Sequence, residues 1–188
     1  MSPTKNVQHL VVRFSDSLYK GIDTIREHKL VIKDKGAVWF GKLGRPLAKR
    51  KIEILNGQIK KNIKTYLFLV QTKKAGYIWT KAILEKVATE LAKNDTTLIP
   101  SYYNQHNINE QSSIWFKVSK LYTPSKSDIQ KCYVVSSKKQ INTTLNSSIA
   151  AMFMVYFGDK NSQKKSDKYQ VSFEKALLDV HEDEFDDY

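Results

Sequence analysis

The chain has 188 residues, 41% hydrophobic and 11% aromatic, with 31 Lys+Arg against 19 Asp+Glu for a formal net charge of +12. That is enough chain and enough apolar content for one domain with a buried core. No run nears the ~18–20 continuous apolar residues of a membrane helix, a single cysteine, Cys132, excludes an internal disulfide, and the scattered histidines form no structural zinc pattern.

HLVVRFSD (9–16) predicts a first strand, apolar enough to lie in a core. A helix follows, with Asp23 as N-cap and an apolar face of Ile22, Ile25, Leu30 and Val31 or Ile32. The lysines of KDKG fall near its end, with Gly36 just past it. AVWF (37–40) reads as a short strand. RPLAKRKIEILNGQIKKN supports two readings. Pro46 suits the start of a helix over Arg45–Leu55, with Leu47, Ile52 and Leu55 inward. KIEIL followed by Asn56-Gly57 suits a strand entering a hairpin.

TYLFLVQ (65–71) predicts a buried strand, KKAG a turn, and YIWTKAILEKVATEL a strand that can pass into a helix. DTTLIPSYYNQHNINEQSS (95–113) is a long polar connection in which Pro100 stops any helix. SIWFKVSKLYT (113–123) alternates Ile/Phe/Val/Leu against Trp/Lys/Ser/Lys, a strand pattern. CYVV and AAMFMVYF are two further apolar runs around the loop-like SSKKQINTTLNSS. DKNSQKKSDKYQ reads as a linker before the short amphipathic VSFEKALLDV. Six or so strands with one or two helices indicate an α+β fold, a small mixed barrel or sheet. One domain over 1–158 is followed by a linker and acidic tail over 159–188.

The charge is unevenly spread. Lys42 to Lys81 holds eleven basic residues and one acid, Glu53, whereas Glu174 to Tyr188 holds seven acids and one lysine. A field of this kind favours a polyanion. The tail is open to three readings: a solvated segment that aids solubility, competition for the basic face, and contact with a protein partner. MSPTKNVQHL has no apolar secretion segment, so an intracellular chain and no membrane partner are expected.

Enzyme signatures are sparse. Neither a G-x-G-x-x-G nor a phosphate-loop motif occurs, and GKLGRP lacks the required spacing. Cys132 reads as a core thiol, His28 in REHK as an exposed helix residue, and His106 has no partner at useful spacing. Asp16, Asp23 and Glu27 are neighbours but lack the acid-x-lysine pattern of a metal-dependent nuclease. No catalytic residue, metal or cofactor is therefore assigned.

The aromatics carry more. Trp39 and Phe40 stand between Gly36 and Gly41, and Tyr102 and Tyr103 stand in the polar connection. Either pair suits a stacking platform for a base, at ~1–3 kcal/mol per base, or ordinary anchoring to the core. Trp79 and Trp115 read as packing residues.

The order of elements resembles the YTH/EVE branch of the PUA-like superfamily over about residues 9 to 157. The features are a strand HLVVRFSDS, a helix, the Val38–Trp39 step, a basic helical region, the strand TYLFLVQ and its returning partner. An aromatic-bearing connection and IWFKVSKLYTPS complete the series. The resemblance implies a small β-barrel flanked by helices that reads nucleic acid and holds a modified base in an aromatic cage. It places Trp39 in the cage and a second cage aromatic at Tyr102 or Tyr103, where the family's second tryptophan is not present as such. Its polar residues after the first strand match Ser15, Asp16 and Ser17. Related modules serve as targeting domains of modification-dependent restriction systems, so DNA and RNA are equally implied.

Together these readings give a nucleic-acid-binding module rather than an enzyme. Ser15, Asp16, Ser17, Trp39, Phe40, Tyr102 and Tyr103 would meet the base. Lys42, Arg45, Lys49, Arg50, Lys51, Lys60, Lys61 and Lys64 would meet phosphates. The alternatives are a B3-like site-specific DNA-binding barrel without a base pocket, a nuclease, and a module whose basic face docks an acidic protein.

Overall fold

The computed structural model describes residues 7–16, 19–73 and 75–158. Seven strands form one mixed sheet: β1 (Gln8–Phe14), β2 (Val38–Leu43), β3 (Tyr66–Lys73), β4 (Gly76–Ala88), β5 (Ser112–Tyr122), β6 (Cys132–Val134) and β7 (Met152–Phe157). Their order across the sheet is β2-β5-β4-β3-β1-β7-β6, with β1 and β3 parallel and the other pairs antiparallel. The α+β class holds. The ladder ends at β2 and β6, which do not pair, so the barrel implied by the resemblance is not closed by hydrogen bonds.

The strands with apolar runs are buried on both faces. Leu10 and Val12 of β1 face one core together with Leu67, Leu69, Leu84 and Phe116. Val11 between them faces a second core with Phe68, Val70 and Val155. Each such side chain contributes roughly 1.5–3 kcal/mol of burial. The first core is covered by α1 (Thr24–Lys35) and α2 (Lys49–Lys60), the second by α6 (Ile141–Ser147) through Ile141 and Leu145. Thus SSKKQINTTLNSS is not all loop; the Gln140 side chain accepts from the amides of Asn142 and Thr143 and starts a helix there.

α1 begins and ends where its capping residues dictate. The Asp23 side chain accepts from the Arg26 amide, and Gly36 adopts the left-handed conformation at φ 82°, its amide bonding to Ile32 O. Its inward face differs from the expected one: His28 and Thr24 are buried while Leu30 is exposed.

Asn56-Gly57 does not turn a hairpin. It lies inside α2, with Leu55 fully buried. Asn56 bonds both backbone groups of Val87, donating from Nδ2 to Val87 O at 2.8 Å and accepting from Val87 N at 2.9 Å. Gln58 does the same to Gln8, at 2.7 and 2.8 Å. Two side-chain amides thus imitate strand residues and fasten α2 to β4 and β1.

β4 stays a strand for thirteen residues instead of passing into a helix. Register irregularities at Lys81/Ile83 and Leu84/Lys86 shift its phase, so that Leu84 and Val87 both point inward. That three-residue spacing imitates a helix in the sequence. The 95–113 connection folds into a 3₁₀ turn over Lys93–Leu98, α3 (Ser101–Gln105) and α4 (Ile108–Gln111). Pro100 opens α3 as its N-cap rather than stopping a helix. A last short helix, α5 (Lys126–Gln130), carries a Ser125/Asp128 capping box.

Candidate nucleic-acid interface

At the end of β1 the chain leaves the sheet through Ser15 and Asp16, and it rejoins the sheet at β2 after α1. Beside this exit, β2 is an edge strand, and α3 and α4 pack against it. The elements enclose a cavity of about 100 Å³ lined by Phe14, Ser15, Tyr19, Thr24, Phe40, Gly41, Lys42, Leu43, Tyr102, Tyr103 and Ile108. Five aromatic rings, the hydroxyl residues Ser15 and Thr24, and the Lys42 side chain therefore meet at one place.

The expected base-contact residues divide. Ser15, Phe40, Tyr102 and Tyr103 line this cavity. Asp16 stands behind it and acts as a tie: one carboxylate oxygen accepts the Thr24 amide at 3.3 Å, the other the Gln71 side chain at 2.5 Å. Ser17 lies outside the described residues.

Trp39 does not line the cavity. Strand alternation sends it to the face opposite Phe40, into a cluster with Trp115, Ile99, Tyr102, Tyr103 and Ile108, where it is 1% exposed. Its indole Nε1 has no hydrogen-bond partner among the described residues. Both are buried: Trp39, expected in the cage wall, sits in the aromatic cluster away from the cavity, whereas Phe40, 3% exposed and part of the first core, also borders the cavity. Trp115 packs as expected, and Trp79 is partly buried against the second core.

Gly41 is required by close approach. A Cβ there would lie 2.5 Å from Ser112 Oγ and 2.9 Å from the Trp115 ring. Its amide donates to the Tyr103 hydroxyl at 3.1 Å. That hydroxyl also stands 3.3 Å from His28 Nε2, and His28 Nδ1 stands 2.6 Å from Thr24 O. With Nδ1–H donating to Thr24, Nε2 is left to accept from Tyr103.

His28, expected on the surface, is fully buried, and burial pushes its pKa down to about 4. Burial likewise raises Tyr102 to about 12 and Tyr103 well above its ordinary value. All three stay neutral near pH 7, so the wall behind the cavity is a set of uncharged hydrogen bonds. Cys132 is a buried thiol raised to about 12 by the same cause. Among the described residues no group of three or more His, Cys, Asp or Glu could hold a metal ion.

The cations are not one uniform patch. Lys42 is half-buried at the cavity, its Nζ donating to Leu43 O at 3.2 Å, and burial lowers its pKa. Arg45, Lys49, Arg50, Lys51, Lys60, Lys61 and Lys64 are exposed. α2 splays its first three: Lys49 borders a groove shared with Glu53 and Glu90, whereas Arg50 and Lys51 border another on the β7 side. Lys81, counted with the basic block, is buried at 6% exposure. Its ammonium lies 4.0 Å from the Tyr66 ring centroid and 3.2 Å from an Asp128 oxygen, so it holds the fold together rather than facing a ligand. Lys74 and the acidic tail lie outside the described residues.

Tyr19, Phe14 and Thr24 were not singled out by the sequence pattern. Tyr19 could have been found, since it is an aromatic in the polar stretch SDSLYKG directly after a strand. It is half-buried, and its ring lies 4.6 Å from that of His106.

No curated protein and no solved structure matches the chain. A family model does, over residues 10–176, from the third residue of β1 to beyond the last strand, and on that match the chain belongs to the Pua-like family.

Proposed function

We propose that this protein binds nucleic acid and receives one unstacked or modified base in the cavity between β1, β2 and α3. Pua-like proteins generally bind nucleic acids. The observation that carries the finer reading is the convergence of Phe14, Tyr19, Phe40, Tyr102 and Tyr103 on a cavity that also holds Lys42. A base taken out of its stack needs a π-face, and the phosphate next to it needs a cation. The position of this cavity, after the first strand and beside β2, favours the YTH/EVE-like branch and its curled, barrel-like sheet. A role in targeting a modification-dependent restriction system would use the same site.

A cavity of about 100 Å³ is smaller than the ~150 Å³ that admits benzene. Entry of a base therefore goes with outward rotation of Tyr19, the half-buried wall. Arg45 and the α2 cations supply the flanking phosphate contacts.

The test is a binding panel of single- and double-stranded DNA and RNA, with and without base methylation, repeated across salt. Neutralising Lys49, Arg50 and Lys51 together should weaken every ligand and flatten log affinity against log salt, because fewer counterions are released. An unchanged slope would place the contact face elsewhere, and absence of binding across the panel would remove the reading.

A further inference from the structure

A second and larger groove lies on the other side of β1. Its volume is about 550 Å³, and it is walled by Arg50, Lys51 and Ile54 of α2, floored by Met152 and Met154 of β7, and edged by the turn after β6 at Ser137. It lies where the outer strand peels away: β6 pairs β7 from Val155 onward, the Val135 amide adds one bond to Met154 O at 2.9 Å, and among the described residues no strand pairs the outer edge of β7 before that. None of the residues lining the groove is acidic. Arg50 and Lys51 are exposed and form no ion pair with a carboxylate among the described residues.

We infer that this groove is a second nucleotide subsite, taking the residue next to the one in the first cavity. Its two cations suit a phosphate. Its thioether floor and the Ile54 wall adapt to the flat face of a base, and its hydroxyl rim suits the base edge. Position supports the pairing of the two sites. Met152 is the register partner of Val12, and Phe14, a wall of the first cavity, follows on the same face about 7 Å along the strand. Val12 itself is buried, so a single strand would pass the C-terminal end of β1, by Phe14 and Ala151, to place neighbouring nucleotides in the two sites. The inference rests on the nucleic-acid reading above, and it makes the unit of recognition a dinucleotide step.

The experiment fills the groove without removing a charge. Ala150 lines it, is exposed and lies in a loop, so Ala150→Trp occupies it from the rim; Ser137→Trp does so from the opposite side. Binding of a fluorescein-labelled single-stranded oligonucleotide is measured for the full chain and both variants, alongside thermal melting. The expected result is a loss of about tenfold or more, the scale of one stacked base, with the salt slope and melting unchanged. Wild-type affinity in a variant that melts as wild type would overturn the inference, and having two variants guards against one that fails to fold. A wild-type chain that binds no oligonucleotide sinks the nucleic-acid reading itself, which is a different and separable outcome.

Discussion

The Tyr103 hydroxyl accepts the Gly41 amide at 3.1 Å, and that bond ties α3 to the edge strand β2. An edge strand leaves a row of amides without partners; here a side chain takes one of them, next to the cavity. Tyr103→Phe should leave the Gly41 amide and His28 Nε2 without this partner and cost ~1–3 kcal/mol. Urea titration would show a lower midpoint with an unchanged slope. A midpoint equal to wild type would mean that water replaces the hydroxyl.

Trp39 and Phe40 should separate cleanly. Trp39→Ala empties a fully packed aromatic cluster and should destabilise by ~3–5 kcal/mol. Phe40→Leu keeps an apolar group in the first core, where Phe40 is also buried, but removes a ring bordering the cavity, so it should cost less stability, up to about 1.5 kcal/mol, while losing affinity on the ~1–3 kcal/mol scale of base stacking. If Trp39→Ala melts as wild type and loses only ligand, the assignment of these neighbours is reversed.

Tyr19 is the wall that has to move. Tyr19→Ala should cost little stability, since the residue is half-exposed, and should remove ~1–3 kcal/mol of oligonucleotide affinity if the ring stacks on the base. An increase in affinity would instead show the ring to be a plug that the base displaces.

His9 and His28 make the fold sensitive to acid. Both are held at about 4, His28 by burial and His9 by burial and then by the charge of Lys81. The unfolded chain takes up these protons near pH 6.5, while the folded chain refuses them until about 4. Stability is therefore complete above pH 6.5 and lost as pH falls toward 4, by on the order of 3 kcal/mol per histidine. Urea midpoints measured between pH 7.5 and 4.5 should fall, and His28→Gln should remove its share of that slope. A slope that survives both His28→Gln and His9→Gln would trace acid sensitivity to other groups.

The strands were legible because each is a short apolar run, and α1 because Asp23 and Gly36 mark its ends. What stayed hidden depends on long-range partners. Asn56-Gly57 signals a turn locally, yet bonding to Val87 keeps Asn56 in a helix. The phase shifts in β4 made a strand look helical. His28 looks exposed within REHK, but the Tyr103 hydroxyl and Thr24 carbonyl satisfy it in the core. Trp39 and Phe40 could be singled out from their glycine neighbours, but which of the two borders the cavity is set by how β2 pairs with β5. Lys81 was indistinguishable from the surface lysines, since its aromatic surroundings come from Tyr66, Phe68, Tyr122 and Phe157.

The paired amide clamps of Asn56 and Gln58 have a mechanical consequence. A helix held only by greasy contacts can roll or slide on its sheet; α2, bonded to the backbone of both Val87 and Gln8, can do neither without breaking four hydrogen bonds. The span from Lys49 to Lys60 is thereby kept at roughly 16 Å by the helical rise, close to five steps of ~3.4 Å along one strand of a duplex. On the proposed function, a polyanion lying against this helix would meet a rigid ruler, graduated at its two ends, in place of a loose cloud of lysines.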